Sequence, residues 1–422
     1  MALEYATVSQ STSDIRIVPL PESRDVLGEI LRQGARELLA RTIQAEVADW
    51  IDAHAHVTDP AGRRQVVRNG SHPERDILTG LGPITVQQPR VLDRRPAGPR
   101  ETFRPSVLPP YLRRTKAIDE AIPWLYLKGI STGDFPEALQ GLFGIEAKGL
   151  SANTVTRLKA AWEEQYGAWS KRSLKGKHYV YVWADGVHFN IRLEDGRQCI
   201  LVLMGATADG QKELIAIADG YRESEQSWKE LLLGVKARGL EIEPSLAIGD
   251  GALGFWAAMR KVWHTTKEQR CWVHKTANVL DKLPKGGQPK AKGMLHEIYL
   301  AESREAATKA LDLFVATYEA KYPKATACLS KDRDVLLTFY DFPAEHWLHI
   351  RTTNPIESVF STVRLRHSKT KGSGTRKACL TMVWKLMESA SRTWRALNGS
   401  SRIQEVITGA VFVNGVNQTH AA

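Results

Sequence analysis

Three acidic residues stand in short signatures whose composition suits phosphate chemistry: Asp185 in Val-Trp-Ala-Asp-Gly-Val, Asp250 in Ala-Ile-Gly-Asp-Gly-Ala and Glu357 in Thr-Thr-Asn-Pro-Ile-Glu-Ser. The first two end or interrupt apolar runs and the third opens a helical pattern, an arrangement that brings distant carboxylates to one edge of a sheet. Such a cluster holds hard divalent cations of the Mg²⁺ type, which take few protein carboxylates and keep positions open for phosphate oxygens. Asp185 alternates with Tyr181, Trp183, Val187 and Phe189 on one strand face. A charge on so apolar a face must be paired or metal-bound, because burying even a neutral polar group without a partner costs roughly 2 to 7 kcal/mol. Each signature also has an ordinary reading. Asp-Gly is a common turn dipeptide. Asn354-Pro-Ile-Glu357 is a capping box, with Asn354 as the cap and Pro355 as the first helical residue, worth about 1 kcal/mol to its helix. That helix has Ile356, Phe360 and Val363 as a buried stripe, while Ser361, Arg364 and Ser368 follow Glu357 on a polar face.

Between the second and third acids lies Cys271-Trp272-Val273-His274. A zinc site would need two more ligands, and His346-Trp-Leu-His349 offers them at the same spacing. The flanks lack the character of a metal knuckle, which favours a satisfied structural pair, or a pair that orients DNA at the edge of the acidic site. Trp272 and Trp256 are candidates for stacking on a displaced base, against the commoner role of a Trp in an α/β core.

The charge distribution points to the same partner. The chain has 422 residues and a formal net charge of +11, and that length suggests two or three domains. Residues 60 to 116 hold twelve Lys/Arg, Arg90 and Arg94 among them, against four acids. Residues 357 to 377 hold Arg364, Arg366, Lys369, Lys371, Arg376 and Lys377 against Glu357 alone. Two basic stretches on an otherwise balanced chain are the footprint expected of a protein that neutralises phosphates. The four cysteines show no CxxC pair, which argues against a disulfide framework and for a reducing interior. No apolar run approaches a membrane span, and the polar first 25 residues do not read as a signal sequence.

The elements that must position these residues follow from periodicity. Residues 26 to 52 repeat Leu27, Leu31, Leu38, Val47 and Trp50 at helical spacing, an amphipathic helix for its own domain or for a dimer partner. Residues 58 to 110 are rich in Pro, Gly and Arg with one strand-like stretch at Ile84-Thr85-Val86. A helical region from 117 to 170 contains two helices joined by a turn at 144 to 150, compatible with a helix-turn-helix whose outward residues Asn153, Arg157 and Lys159 reach bases and phosphates. From 178 the pattern becomes strand (178–190), strand (198–205), strand (213–218), helix (225–239) and strand (245–248), the order of a ribonuclease H-like α/β domain. Residues 276 to 340 are helical throughout.

Taken together, Asp185, Asp250, the Cys271-x-x-His274 pair opening a helical insertion, and Thr352-Thr-Asn-Pro-Ile-Glu357 followed by a basic helix resemble the Mutator-type transposases of bacterial insertion sequences, from about Arg68 to about Leu397. The resemblance implies an α/β fold: a ribonuclease H-like catalytic domain, interrupted by an all-α insertion and preceded by mostly α-helical N-terminal DNA-binding domains. The expected division is a helical or dimerisation segment at 1–57, a basic DNA-binding module at 58–116 and a helix-turn-helix-like domain at 117–172. The catalytic core opens at 173–275, is interrupted by the insertion at 276–345 and resumes with the basic helix at 346–400, leaving a tail at 401–422. The resemblance further implies that Asp185, Asp250 and Glu357 are a metal-binding acidic triad holding two Mg²⁺ ions, replaceable by Mn²⁺, for strand cleavage and then strand transfer. Cys271, His274, Trp272, Arg364, Arg366, Lys369, Lys371, Arg157, Lys159, Asn153, Arg90 and Arg94 are the expected DNA contacts. The expected partners are double-stranded DNA, as terminal inverted repeats and target, and a second copy of the chain, in the cytoplasm at the bacterial nucleoid. The alternatives are a metal-dependent nuclease or resolvase on the same core and a non-catalytic DNA-binding regulator derived from a transposase. Where many relatives are more basic, Asp185 is followed here by Gly-Val-His-Phe, which leaves the role of His188 open.

Overall fold

The run of β-branched and aromatic residues that opens at Tyr179 forms the central strand of a mixed sheet in a computed structural model, which describes residues 26–95, 102–130, 134–143, 152–191, 197–220, 222–251, 253–369 and 372–419. The side chains of 152–155, 253 and 369 also lie outside the description. By internal packing the chain divides into two units, one comprising 1–122 and 136–149, the other 123–135 and 150–422.

In the first unit, α1 (Val26–Ala53) precedes β1 (Val66–Ser71), β2 (Arg75–Thr79), β3 (Gly82–Val86) and β4 (Pro89–Asp93). β1 pairs with β4 and β2 with β3, both antiparallel. The β2–β3 turn needs a left-handed residue, and Gly82 supplies it at φ 97°. Ile43 of α1 packs with Ile77, Ile84, Val86 and Leu108 in a small core. The expected apolar stripe of α1 is therefore only half used. Val47 is buried, whereas Leu27, Leu31 and Leu38 are exposed among the described residues; the β-module covers the helix face that carries Arg32, Ala35, Leu39 and Ile43, with Arg32 on the Leu81 carbonyl. Arg90 and Arg94 are on the surface of this unit.

α2 (Lys116–Lys128) and α3 (Phe135–Phe143) follow. The turn expected to join α3 to the next helix falls outside the described residues. The second unit continues with α4 (Ala152–Ser170), β5 (Tyr179–Asn190), β6 (Arg197–Thr207), β7 (Lys212–Gly220), α5 (Glu225–Ala237), β8 (Leu246–Gly249), α6 (Leu253–Val262) and β9 (Lys267–Arg270). The sheet order is β7-β6-β5-β8-β9. β5, β6 and β7 are antiparallel neighbours, and β8 and β9 join β5 in parallel. Ser224 caps α5, its hydroxyl accepting the Ser227 amide at 3.2 Å. α5 and α6 cover one face of the sheet, where Trp228, Phe255, Met259 and Trp263 pack on Val182, Leu201 and Ala247.

The helices α7 (Trp272–Leu280), α8 (Gln288–Leu300), α9 (Arg304–Tyr318), α10 (Pro323–Ser330) and α11 (Arg333–Leu336) form a layer without a strand among the described residues. Leu295, Ile298, Leu311 and Phe314 form its buried stripe. Within it, Lys275 is fully buried, with its ammonium on the Cys328 carbonyl at 2.7 Å and paired with Asp332. α12 (Trp347–Ile350), α13 (Asn354–Lys369) and α14 (Arg376–Ser391) return to the sheet, α13 beside β5 and α14 beside β7 and α4.

Candidate active site

Asp185 and Asp250 are brought together by strand register. β5 and β8 run parallel, with Ala184 opposite Gly249, so each acid is the next residue along neighbouring strands, about 4.8 Å apart in the pairing direction. Asp185 is 7% exposed, and its Oδ1 accepts the Gly186 amide at 2.8 Å. Burial, then the charge of Asp250, pushes its carboxyl up to about 7, with His274 and the Gly186 amide opposing and Glu357 adding to the rise. Asp250 follows the last residue of β8, and its carbonyl accepts the Trp256 indole N–H at 2.9 Å.

The third acid arrives through the Cys-x-x-His turn. The Cys271 amide donates to the Gly249 carbonyl at 2.8 Å, which ties the start of α7 to the strand end that presents Asp250. The buried Cys271 sulfur accepts from the Thr353 amide at 3.3 Å and lies 3.2 Å from the Thr353 hydroxyl. That hydroxyl is also 3.3 Å from His274 Nδ1 and donates to Glu357 Oε1. His274 Nδ1 lies 3.5 Å from the same carboxylate oxygen. The hydrogen bond to the Cys271 sulfur, against burial and aided by the charges of Cys271, Glu357 and Asp185, raises the imidazole to about 9 and keeps it cationic at neutral pH. One ligand atom from each of Cys271, His274 and Glu357 lies within 4.8 Å of the others. The capping box is replaced: Glu357 is held by Thr353 and His274, while the Asn354 amide lies 3.4 Å from the Thr352 hydroxyl.

The cleft beside these residues, of about 590 Å³, is lined by His188, Glu223, Asp250, Arg270, His274 and Lys331 among others. Glu223 is half-buried; burial and then the Asp250 charge raise its carboxyl, with His274 and the Cys199 thiol opposing. Burial also pushes the neighbouring Cys199 thiol up to about 12, so it offers no thiolate at neutral pH. Arg270 is buried beside Gly251, where a Cβ would overlap its guanidinium, and its Nη1 is 3.7 Å from Asp332. Thr353, Glu223 and Arg270 are not among the residues that the sequence singles out. Only Thr353 carries a signal there, as a hydroxyl within the Thr-Thr-Asn-Pro-Ile-Glu signature.

Several expected contacts sit elsewhere. Trp272 is fully buried with its indole N–H on the Leu336 carbonyl at 2.8 Å, and Trp256 is 6% exposed, so neither presents a face to a base. Arg366 is 3% exposed and donates to the Tyr126 carbonyl at 2.9 Å, which makes it a packing residue of α13 rather than a surface cation. The zinc pairing fails because both nitrogens of buried His346 are engaged, Nδ1 with the Tyr181 hydroxyl at 2.8 Å and Nε2 with the Gly399 carbonyl at 2.9 Å, while His349 Nε2 accepts the Asn398 amide. Arg364, Arg157 and Lys159 are exposed. Arg364 borders a second cleft, of about 420 Å³, with His188 and Arg197. The side chains of Asn153 and Lys369, and all of Lys371, lie outside the described residues.

Residues 7–396 match the sequence profile described as Transposase, Mutator family. The chain is 53% identical over 298 residues to the transposase for insertion sequence element IS6120 of Mycolicibacterium smegmatis, covering 71% of this chain and 92% of that protein. It is 50% identical over 287 residues to the transposase for insertion sequence element IST2 of Acidithiobacillus ferrooxidans, covering 66% and 95%. Over 398 residues it is 26% identical to the transposase for insertion sequence element ISRM5 of Rhizobium meliloti, covering 94% of each. With acids, Cys-x-x-His turn and helical layer in one unit, and a profile match over nearly the whole chain, the protein belongs to the Mutator family of transposases.

Proposed function

We propose that the protein is a DNA transposase that binds the terminal inverted repeats of an insertion sequence and catalyses metal-dependent strand cleavage and strand transfer with Asp185, Asp250 and Glu357. What supports this reading is that Asp185 and Asp250 stand at the ends of neighbouring strands, with the charges of Asp250 and Glu357 both acting on the Asp185 carboxyl, while Glu357 is held beside His274 and Thr353. The sheet order 3-2-1-4-5, counted from β5, supports a ribonuclease H-like core with α7–α11 as its insertion.

The donor set fits hard cations of the Mg²⁺ or Mn²⁺ type: oxygen ligands, a half-open cleft, and in Asp185 a buried carboxyl whose ionisation is disfavoured until positive charge arrives. When bound, such a pair of ions would activate a water or a terminal hydroxyl for attack on a phosphodiester and stabilise the leaving oxygen. The chain's own residues do the rest. Trp256 fixes the Asp250 backbone, and Thr353 with cationic His274 orients Glu357. Arg270 and Lys331 line the cleft with positive charge for the phosphate backbone, and Arg364 extends that charge along α13. Cleavage and transfer are successive displacements at phosphorus and need no covalent protein intermediate. Arg90, Arg94, Arg157 and Lys159 supply surface charge for the duplex. Bringing two ends together calls for a homodimer, for which the exposed Leu27, Ile30, Leu31 and Leu38 of α1 offer apolar surface.

The test is an in vitro assay with end-containing DNA. Asp185→Asn, Asp250→Asn and Glu357→Gln should each abolish cleavage and strand transfer while end binding in a gel shift persists. Normal cutting by any of the three would overturn the site. Cutting without transfer by the unmodified protein would favour a nuclease.

A further inference from the structure

The Glu223 carboxyl is a half-buried group that the triad does not account for. Its side chain is 16% exposed, and the basic group beside it is the exposed His188, whose Nδ1 is 3.6 Å away. Among the described residues no lysine or arginine forms an ion pair with it. The Cys199 thiol lies 3.9 Å from the same oxygen. Burial disfavours the charged form of a carboxyl so placed, and a cation bound beside it would offset that cost.

Its position is specific. Glu223 lies over Gly186, the residue after Asp185, so closely that a Cβ at Gly186 would overlap the carboxylate. It also lines the cleft shared by Asp250 and His274. Asp185 projects from the β5 face turned toward α13, whereas Gly186 and His188 face the side covered by α5 and α6. Glu223 therefore approaches the strand ends from the sheet face opposite Glu357. The backbone is held there at a cost: Arg222 and Glu223 have φ of 55° and 50°, consecutive left-handed non-glycine residues. The Glu223 carbonyl is packed so closely on α6 that Gly254 has no room for a Cβ. A loop fixed on both sides delivers a carboxylate, not a mobile surface acid.

We propose that Glu223 is a fourth carboxylate of the metal centre, contributing an oxygen ligand to the cation held by Asp250 from the sheet face opposite Glu357. This rests on the metal-centre reading above. The experiment is Mn²⁺ titration of the full-length protein, followed by electron paramagnetic resonance of the free ion and by the Mn²⁺-induced shift in thermal midpoint. Glu223→Gln keeps the shape and removes the charge; its Mn²⁺ affinity should fall by about tenfold or more and its thermal shift should shrink. Asp185→Asn is the control. If Asp185→Asn loses Mn²⁺ and Glu223→Gln binds it as the unmodified protein does, the fourth-ligand assignment is overturned and the metal centre stands. If neither variant loses affinity, the metal-centre reading falls and takes this inference with it. Should Glu223→Gln give no cooperative melting transition, Glu223→Asp, which keeps the charge but shortens its reach, is titrated in its place. Unchanged affinity in that variant would equally overturn the assignment.

Discussion

At the scale of single residues, the Thr353 hydroxyl is the hub of the site. It has one proton and three neighbours, Cys271 Sγ, His274 Nδ1 and Glu357 Oε1. With His274 cationic, the imidazole supplies a second proton, and the hydroxyl is free to donate to Glu357. Thr353→Val, nearly isosteric, should slow single-turnover cleavage by about 10- to 100-fold with DNA binding unchanged, and Thr353→Ser should restore most of the rate. Asp185 carries a stability consequence. Its folded carboxyl titrates near 7 against the ordinary 3.8 of an aspartate, so the folded state binds the proton more tightly than the unfolded one. Stability of the metal-free protein is accordingly lost as pH rises from about 4 to about 7, by up to about 1.4 kcal/mol per pH unit. Asp185→Asn should raise the thermal midpoint of metal-free protein at pH 8 and leave it little changed at pH 4, measured by calorimetry. A midpoint unchanged at pH 8 would contradict the burial of this charge.

At the scale of elements, the second unit is the most legible in the sequence. Each strand from β5 to β8 lies within a few residues of its expected span because the chain there writes an apolar alternation or run bounded by turn residues. β9 has no such mark, since Lys-Glu-Gln-Arg lacks an apolar period; its backbone pairing with β8 and the burial of Gln269 hold it. Periodicity does not tell which residues of α1 meet the β-module, because that depends on which face of the helix the module covers. Nor does it foresee that the tryptophans and Arg366 turn inward, since side-chain direction is set by packing across elements. The helical layer is legible as a class, but its buried Lys275–Asp332 pair is not. Asp332→Asn would strand a fully buried ammonium and loosen Arg270, and should destabilise the protein by about 3 to 5 kcal/mol in urea unfolding.

At the scale of the whole molecule, the excess of positive charge is the property that a nucleic acid meets first. Arg157 and Lys159 are exposed on α4, and replacing both with Ala should weaken DNA binding and flatten its log-log salt dependence by roughly one unit per lost phosphate contact. Unchanged binding would move the contact elsewhere on the surface. The family is readable because its signature is a set of short motifs in fixed order, each weak alone. Glu223 is not readable, since Arg-Glu-Ser before a helix looks like an ordinary cap. The order of the chain has one more effect. The sheet that presents Asp185 and Asp250 is complete by Arg270, yet the segment that brings Glu357 to the candidate site, Thr353 to Glu357, is translated only after the five helices α7 to α11. A chain that has emerged only as far as Arg270 can thus hold a finished sheet without Glu357, and on the proposed reading it could not yet cut DNA.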